Sequence, residues 1–527
     1  MRRLLLACAI VLGLAGVVWA FPWETPLTDS VNVVESMRVM YDQTDPDNPF
    51  WATVNRLNLL VAKGRFLASL RYDTEAYFLE EEYYARYVPE KFFFQYEQKP
   101  FLVRVGDSFV RFGQGLTLSL LQRDEFGEDT TIQGLLFHEA SDYFDFDAIG
   151  GPVNVGDGRS FTPVRAQTEE PEFFDERDLL YGGQFMAGHP RYLKVGMSYV
   201  GGTVRYDPES TLARFEEDDN ISLYSIIADS PDLGGVGAAQ GEYAWLERED
   251  LRNEIEDVAY EGRGAHVATT WYIGPVTALM EGTDYFRFDY EYNDPPSMDY
   301  PKVSFGHLPN YQDAIGGRAR LDYVITAINL GLYANYLNIQ THEEMPLDLA
   351  GHYGSDDSPW LEWIEHAYGG FDRAFGNGAM LTGAGGYREI VEGRWVHGEL
   401  DFNTPIVRPH SLAAGYHVKQ FHGFGTMQET DYSAHEATLT YGWAPYLSLT
   451  GTYEYSNEPV GGEISLGGEE EDEDPNYWAV ESMVRPVDWL QMVFAYGRYK
   501  GGLKCSGGVC RMMPPFEGFK SEFVVRF

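Results

Sequence analysis

Through most of this chain, apolar and polar residues take turns. In LSLTGTYEYS, Leu447, Leu449, Gly451, Tyr453 and Tyr455 share one face, and Ser448, Thr450, Thr452, Glu454 and Ser456 share the other. A period of two marks a β-strand, because successive side chains point to opposite faces. The last residues, GFKSEFVVRF, repeat the pattern: Phe519, Ser521, Phe523, Val525 and Phe527 on one face, Lys520, Glu522, Val524 and Arg526 on the other.

Such runs come in pairs joined by short turns. The predicted turns fall at Lys63-Gly64, Lys99-Pro100, Gly188-His189-Pro190, Gly274-Pro275, near Thr326, at Ala444-Pro445 and at Pro486. Gly and Pro punctuate most of them, as hairpin chemistry requires. Between the hairpins lie longer acidic stretches, such as THEEMPLDLAGHYGSDDSP and NEPVGGEISLGGEEEDEDPN. Short turns at one end and long connections at the other describe an outer-membrane barrel, with the turns periplasmic and the loops outside. A soluble sandwich has no such sidedness. The run LEREDLRNEIEDVAYE is expected to form a short helix on one outer loop.

Parity agrees. The strand beginning near Trp51 runs inward, DSVNVVESMRVMY supplies an outward strand before it, and the terminal strand runs inward. The expected fold is an all-β transmembrane antiparallel barrel of about 22 to 24 strands, with an even count. The stretch from Ile364 to Ile390 is the ambiguous part of that tally. This use of the length leaves no room for a separate soluble domain or a sizeable N-terminal plug.

At the N-terminus, Arg2 and Arg3 precede an apolar run from Leu4 to Val18, and small residues allow cleavage after Ala20. This reads as a secretory signal over 1–20, leaving the barrel to 21–527. An apolar run of that length is short for a membrane helix, which needs roughly 20 residues. The expected location is the outer membrane. A terminal Phe527 closing an alternating strand resembles the ends of bacterial outer-membrane barrels, and the resemblance implies that it is a signal to the barrel-assembly machinery.

Composition fits a barrel. Aromatic residues make up 15% of the chain and there are 56 glycines, which suit interfacial girdles and tight turns. Mean hydropathy is only −0.32, since alternating residues average out. The net charge is −42, which repels phosphate and excludes nucleic acid as a partner. An acidic surface suits weakly held divalent cations or a saline medium, and its plainer reading is a solvated loop surface. No resident cofactor is expected.

The least repetitive stretch is VGDSFVRFGQGLTLSLLQRDEFGEDTTIQGLLFHEA, from Val105 to Ala140. It carries Gly106-Asp107, then Phe112-Gly113-Gln114-Gly115-Leu116, then Gly127-Glu128-Asp129. Gly113 and Gly115 allow either a β-bulge or a segment that crosses and constricts a pore. Near the end stands Gly501 to Arg511, with Cys505 and Cys510 spaced as CSGGVC. Together these motifs resemble an uncharacterised, domain-of-unknown-function family of bacterial outer-membrane barrels. The family implies no activity. Asp107, Gly113, Gly115, Glu128 and Asp129 are the candidate pore or loop residues.

Cys505 and Cys510 are neither a Cys-x-x-Cys redox pair nor a sufficient zinc site, and a structural disulfide is expected. Asp42, Asp45, Asp47 and Asn48 lack the glycine and terminal glutamate of a calcium loop and read as a solvated turn. Glu469 to Asp474 reads as a disordered charge run. Neither HExxH nor GxSxG occurs in the chain. His138, His266, His397, His417 and His435 sit in strand-like runs and are expected to be satisfied wall or lumen residues. No catalytic residue is therefore assigned.

The expected function is a porin-like or transport channel for a small solute or cations. A sealed scaffold binding surface proteins through its loops is the alternative, and a membrane hydrolase comes third. The strand carboxylates Glu281, Asp284, Glu399, Asp401, Glu436, Glu454 and Glu481 are expected to face the lumen.

Overall fold

A computed structural model describes residues 30–43, 49–79, 82–123, 128–156, 178–204, 219–248, 260–288, 292–296, 298, 314–342, 363–390, 393–423, 431–457, 475–500, 502–506, 509–513 and 516–526. The signal over 1–20, Asp45, Asp47 and Asn48, most of the expected loop helix, the run Glu469 to Asp474 and Phe527 lie outside them.

The wall is a closed antiparallel barrel of 24 strands. Each wall strand pairs with its successor in the chain, and the first, Ser30–Asp42, pairs with the last, Phe516–Arg526. Val34 lies opposite Arg526 and Asp42 opposite Gly518 across that seam. The upper limit of the expected count is met. The ambiguous stretch resolves as a hairpin of Trp363–Ala374 and Met380–Ile390, in register from Ile364–Ile390 to Ala374–Met380.

One end of the barrel carries short turns, among them Gly64-Arg65, Lys99-Pro100, Gly274-Pro275 and a single 3-10 turn at Thr326–Ile328. The other carries the long connections. Two expected turns shift: Gly188 and His189 pair within the strand Leu179–His189 and the chain reverses at Pro190-Arg191-Tyr192, and Pro486 belongs to the strand Asn476–Val487, at a register irregularity, with the reversal at Asp488-Trp489. Proline lacks the N–H for the regular ladder, so it disturbs the register without ending the strand.

The outer face of the wall is the apolar half of each alternation. Tyr181, Phe185, Met197, Tyr224, Ile226, Val267 and Met280 project outward and are exposed. In Leu447–Ser456, Leu449 and Tyr453 do the same, as the alternation requires. In water such a surface would be an aggregation hazard, whereas in hydrocarbon it is the solvated face. With every wall strand paired on both sides, the backbone groups are satisfied within the wall.

Buried apolar residues collect inside the barrel instead. The largest cluster joins Phe112, Leu116, Leu118 and Leu120 to inward residues of the wall such as Ile132, Leu180, Val200, Leu223 and Leu246. These wall positions break the polar-in rule because something packs on them.

Candidate functional site: an infolded segment in the lumen

What packs on them is the connection between two neighbouring wall strands, Phe101–Ser108 and Glu128–Ala140. Those strands pair directly, from Phe101–Glu139 to Ser108–Ile132. The chain between them turns into the barrel and forms a small hairpin of its own, Val110–Phe112 with Leu118–Leu120. The two-residue strand Gln122–Arg123 then pairs beside Glu128 and Asp129 and leads back to the wall.

Asp107 sets the departure. The strand Phe101–Ser108 last meets its neighbour Glu82–Gln98 at Gly106–Phe93. Beyond that point the carboxylate of Asp107 accepts the Phe92 N–H at 2.8 Å and the Thr131 hydroxyl at 2.9 Å. It replaces the missing ladder acceptor, so no buried donor is stranded where the sheet opens. Glu128 and Asp129 begin the returning strand, and their side chains lie outside the described residues.

Gly113 and Gly115 form the tip rather than a bulge in the wall. Their φ angles are +52° and +92°, in the region that favours glycine. A Cβ on Gly113 would stand 2.5 Å from Glu242 Oε2, and one on Gly115 would stand 2.8 Å from the Asp294 carbonyl. The tip reaches wall strands three to six pairings away. There the Gly113 N–H donates to Gln184 Oε1 at 2.6 Å and the Gln114 N–H donates to Glu242 Oε2 at 2.6 Å. Gln114 Nε2 donates to Gln240 Oε1 at 3.3 Å. Thr117, Ser198 and Ser225 continue the contact as a hydroxyl chain at 2.7 and 2.8 Å.

A second outer connection also enters the lumen. Asp294 N donates to Gly115 O at 3.0 Å and Ser119 N to Tyr292 O at 2.8 Å, so the two segments interlock. Arg318 holds the second segment to the wall through Met298 O at 3.0 Å. Among the described residues, part of the interior is therefore occupied. The obstruction comes from connections within the barrel sequence.

The rest of the lumen differs by sector. On the inner face of Phe50–Lys63 and Phe66–Leu79, Arg71 clasps Asp73 with both Nε contacts at 2.9 Å, and Arg56 Nε lies 3.4 Å from the same carboxylate. Opposite charges cancel there. Further round, Arg388 and Lys419 both lie over the ring of Trp395, at 5.1 and 4.9 Å, and all three are buried. His366 and His397 meet beside them, Nε2 to Nε2, at 2.9 Å.

An acidic row follows on the inner faces of Gly393–Val407, His410–Gly423, Asp431–Trp443 and Leu447–Ser456. Register places Glu399 opposite His417, His417 opposite Glu436, and Glu436 opposite Glu454. His417 approaches Asp401 at 3.4 Å and Glu436 at 3.9 Å. These side chains are one-third to two-fifths exposed, at 38% for His417, 43% for Asp401 and 32% for Glu436. Water reaches this sector.

Five of the seven expected lumen carboxylates fall in this half of the wall and face inward: Glu399, Asp401, Glu436, Glu454 and Glu481. Glu281 also faces inward and meets Arg318 at 2.8 Å. Asp284 does not. It stands three residues from Glu281, and an odd spacing reverses the face. It lies on the outer face near the long-connection end, where Arg263 approaches at 3.8 Å and His342 at 3.0 Å. Among the histidines, His138 meets Asp147 at 2.7 Å and His435 meets the Tyr416 hydroxyl at 2.9 Å. His266 is the exception: it is buried, and its Nδ1 has no hydrogen-bond partner.

Sequence reading missed Gln184, Ser198, Ser225, Gln240 and Glu242 as the seat of the tip. The parity signal was present: Glu242 alternates with Tyr243 and Trp245, so it must face inward. Nothing local says that a distant glycine turn docks there.

Cys505 and Cys510 lie directly opposite each other in the terminal hairpin Gly502–Ser506 and Val509–Met513. Among the described residues, no group of three or more His, Cys, Asp or Glu is arranged to hold a metal ion.

No curated protein matches the chain. Among solved structures, a chain of the E. coli P pilus tip assembly intermediate (PapC-PapD-PapK-PapG) is similar at 8% identity and TM-score 0.52. That match covers 96% of this chain and 62% of the other. The P pilus usher (PapC) translocation pore is similar at 9% identity and TM-score 0.40, over 94% of this chain and 99% of that one. The siderophore receptor PirA from Pseudomonas aeruginosa gives 8% identity and TM-score 0.47, over 95% and 81%. Residues 457–527, which include the cysteine hairpin and the closing strand, match a family model described as "Family of unknown function (DUF6029)". The chain is thus a β-barrel of the bacterial outer-membrane type whose C-terminal segment carries the match to that uncharacterised family.

Proposed function

We propose that the protein is an outer-membrane channel for small, preferentially cationic solutes, narrowed on one side by the infolded hairpin. The observation that carries this reading is the asymmetry of the lumen. One sector is filled by apolar packing, while the sector bearing Glu399, Asp401, Glu436 and Glu454 keeps its carboxylates solvated. A barrel of this width encloses an aqueous space unless it is filled. Carboxylates lining such a space select cations electrostatically.

The test is a planar bilayer under a salt gradient. The expected result is a conductance with a reversal potential on the cation side. Anion preference would overturn the selectivity. Absence of conductance would favour the sealed barrel that binds partners through its outer connections.

Export by a signal over 1–20, and assembly through Phe527, belong to the same proposal. So does a Cys505–Cys510 disulfide, which the opposed register supports. Two free thiols in a mass spectrum of the native protein would exclude the bridge. Replacing both cysteines with serine is expected to cost only about 2 kcal/mol, because the closed loop is small.

A further inference from the structure

We propose that the infolded hairpin is a gate whose tip docks reversibly on the wall, and that Glu242 is its latch; the proposal rests on the channel reading above. Three observations carry it. First, the wall does not need the hairpin, because Phe101–Ser108 and Glu128–Ala140 pair directly. The tip can move without breaking a wall ladder.

Second, the tip and its shank are held differently. Phe112, Leu118 and Leu120 are fully buried against apolar wall residues, whereas residues 113–117 meet the wall through the polar side chains of Gln184, Gln240, Glu242 and Ser198 as well as through buried Leu116, and meet the second segment through Asp294. Polar contacts exchange readily for water, since a hydrogen bond to protein is worth only modestly more than one to solvent. The shank is therefore the fixed part and the glycine tip the movable one.

Third, the seat is incompletely satisfied when the tip is docked. Glu242 is 3% exposed and His266 is 2% exposed. They lie opposite each other on neighbouring strands. The Ser225 hydroxyl and the Leu116 N–H approach the Glu242 carboxylate, but its Oε1 finds no hydrogen bond of good geometry, and His266 Nδ1 has no partner. A buried carboxylate short of good hydrogen bonds opposes docking, and lifting the tip would return it to water. Loss of the tip's own bonds and of Leu116 burial opposes lifting. Contributions of similar size on each side are what a two-position element requires.

The experiment uses the full-length protein carrying Gln114→Cys and Gln240→Cys, joined by a short bis-methanethiosulfonate cross-linker, because the native side chains meet at their ends at 3.3 Å and their Cβ atoms stand too far apart for a direct disulfide. Peptide mapping identifies the 114–240 cross-link, and wild-type protein with and without reductant supplies the baseline for Cys505 and Cys510. Cross-linking is expected to hold the channel at one low conductance level, and reductive cleavage of the cross-link to restore steps to a higher level. In otherwise wild-type protein, Glu242→Gln replaces a charge-assisted bond with a neutral one and is expected to favour the higher level about tenfold. Equal conductance with the cross-link open and closed, or unchanged dwell times in Glu242→Gln, would overturn the gate. If wild type does not conduct, the channel reading fails, and amide exchange at Gln114 still decides the latch. Exchange about tenfold faster in Glu242→Gln supports it, and equal rates overturn it.

Discussion

Excising residues 110–120 and bridging the gap with a short Gly-Ser linker is expected to raise single-channel conductance several-fold while leaving a closed barrel. The wall survives because its two flanking strands pair with each other and not with the hairpin. The lumen widens because the excised residues include Phe112, Leu116, Leu118 and Leu120, all fully buried inside it. The same excision should lower thermal stability. Each of those side chains contributes about 2 kcal/mol when buried, and their departure also exposes Ile132, Leu180, Val200, Leu223 and Leu246 to lumen water. Conductance and the melting of heat-modifiable electrophoretic mobility are the two measurements. Unchanged conductance in a folded barrel would mean that the conducting path avoids the hairpin altogether.

The second large effect is on selectivity. Converting Glu436 and Glu454 to lysine should shift the reversal potential toward anions. The two residues face each other on neighbouring strands, within a row that already contains Glu399 and Asp401. Near such a surface one charge at 4 Å is worth about 1 kcal/mol in bulk water and more where water is restricted. That corresponds to at least about fivefold in relative cation occupancy for each charge removed. Reversal potentials in a KCl gradient measure the shift. An unaltered potential would place the selective part of the path elsewhere in the lumen.

The wall was legible in the sequence because its information is local. Leu449 and Tyr453 face lipid and Glu454 faces the lumen for one reason, a period of two that needs no knowledge of the neighbour. The turns were legible for the same reason, except at Gly188-His189, which stay in the ladder, and at Pro486, where a proline normally read as a stop is absorbed as an irregularity of register. Asp284 shows the limit of judging by residue type. Parity with Glu281 excluded an inward position, and the pull of its carboxylate toward the lumen is met instead by Arg263 and His342 on the outer face.

The infolded segment was only half legible. Gly113 and Gly115 marked a place where the chain must turn tightly or approach another backbone, and both happen. The partner of that approach was hidden, since Gln114 and Glu242 are separated by 128 positions. Contact across a lumen leaves no periodic trace. Its one indirect sign was the presence of Leu180, Leu223 and Leu246 at inward positions where polar residues were due.

The seam between Ser30–Asp42 and Phe516–Arg526 has a kinetic meaning of its own. Every other wall pairing joins consecutive wall strands, so the sheet can grow as a series of short-range hairpins, each with a small loop-closure cost. Only the last pairing must bring together segments from opposite ends of the chain. Until it forms, the growing sheet has two open edges, each a row of unpaired N–H and C=O groups ready to recruit another strand. Strand number is thus decided in a single ring-closing event, when Val34 finds Arg526 and both edges vanish at once.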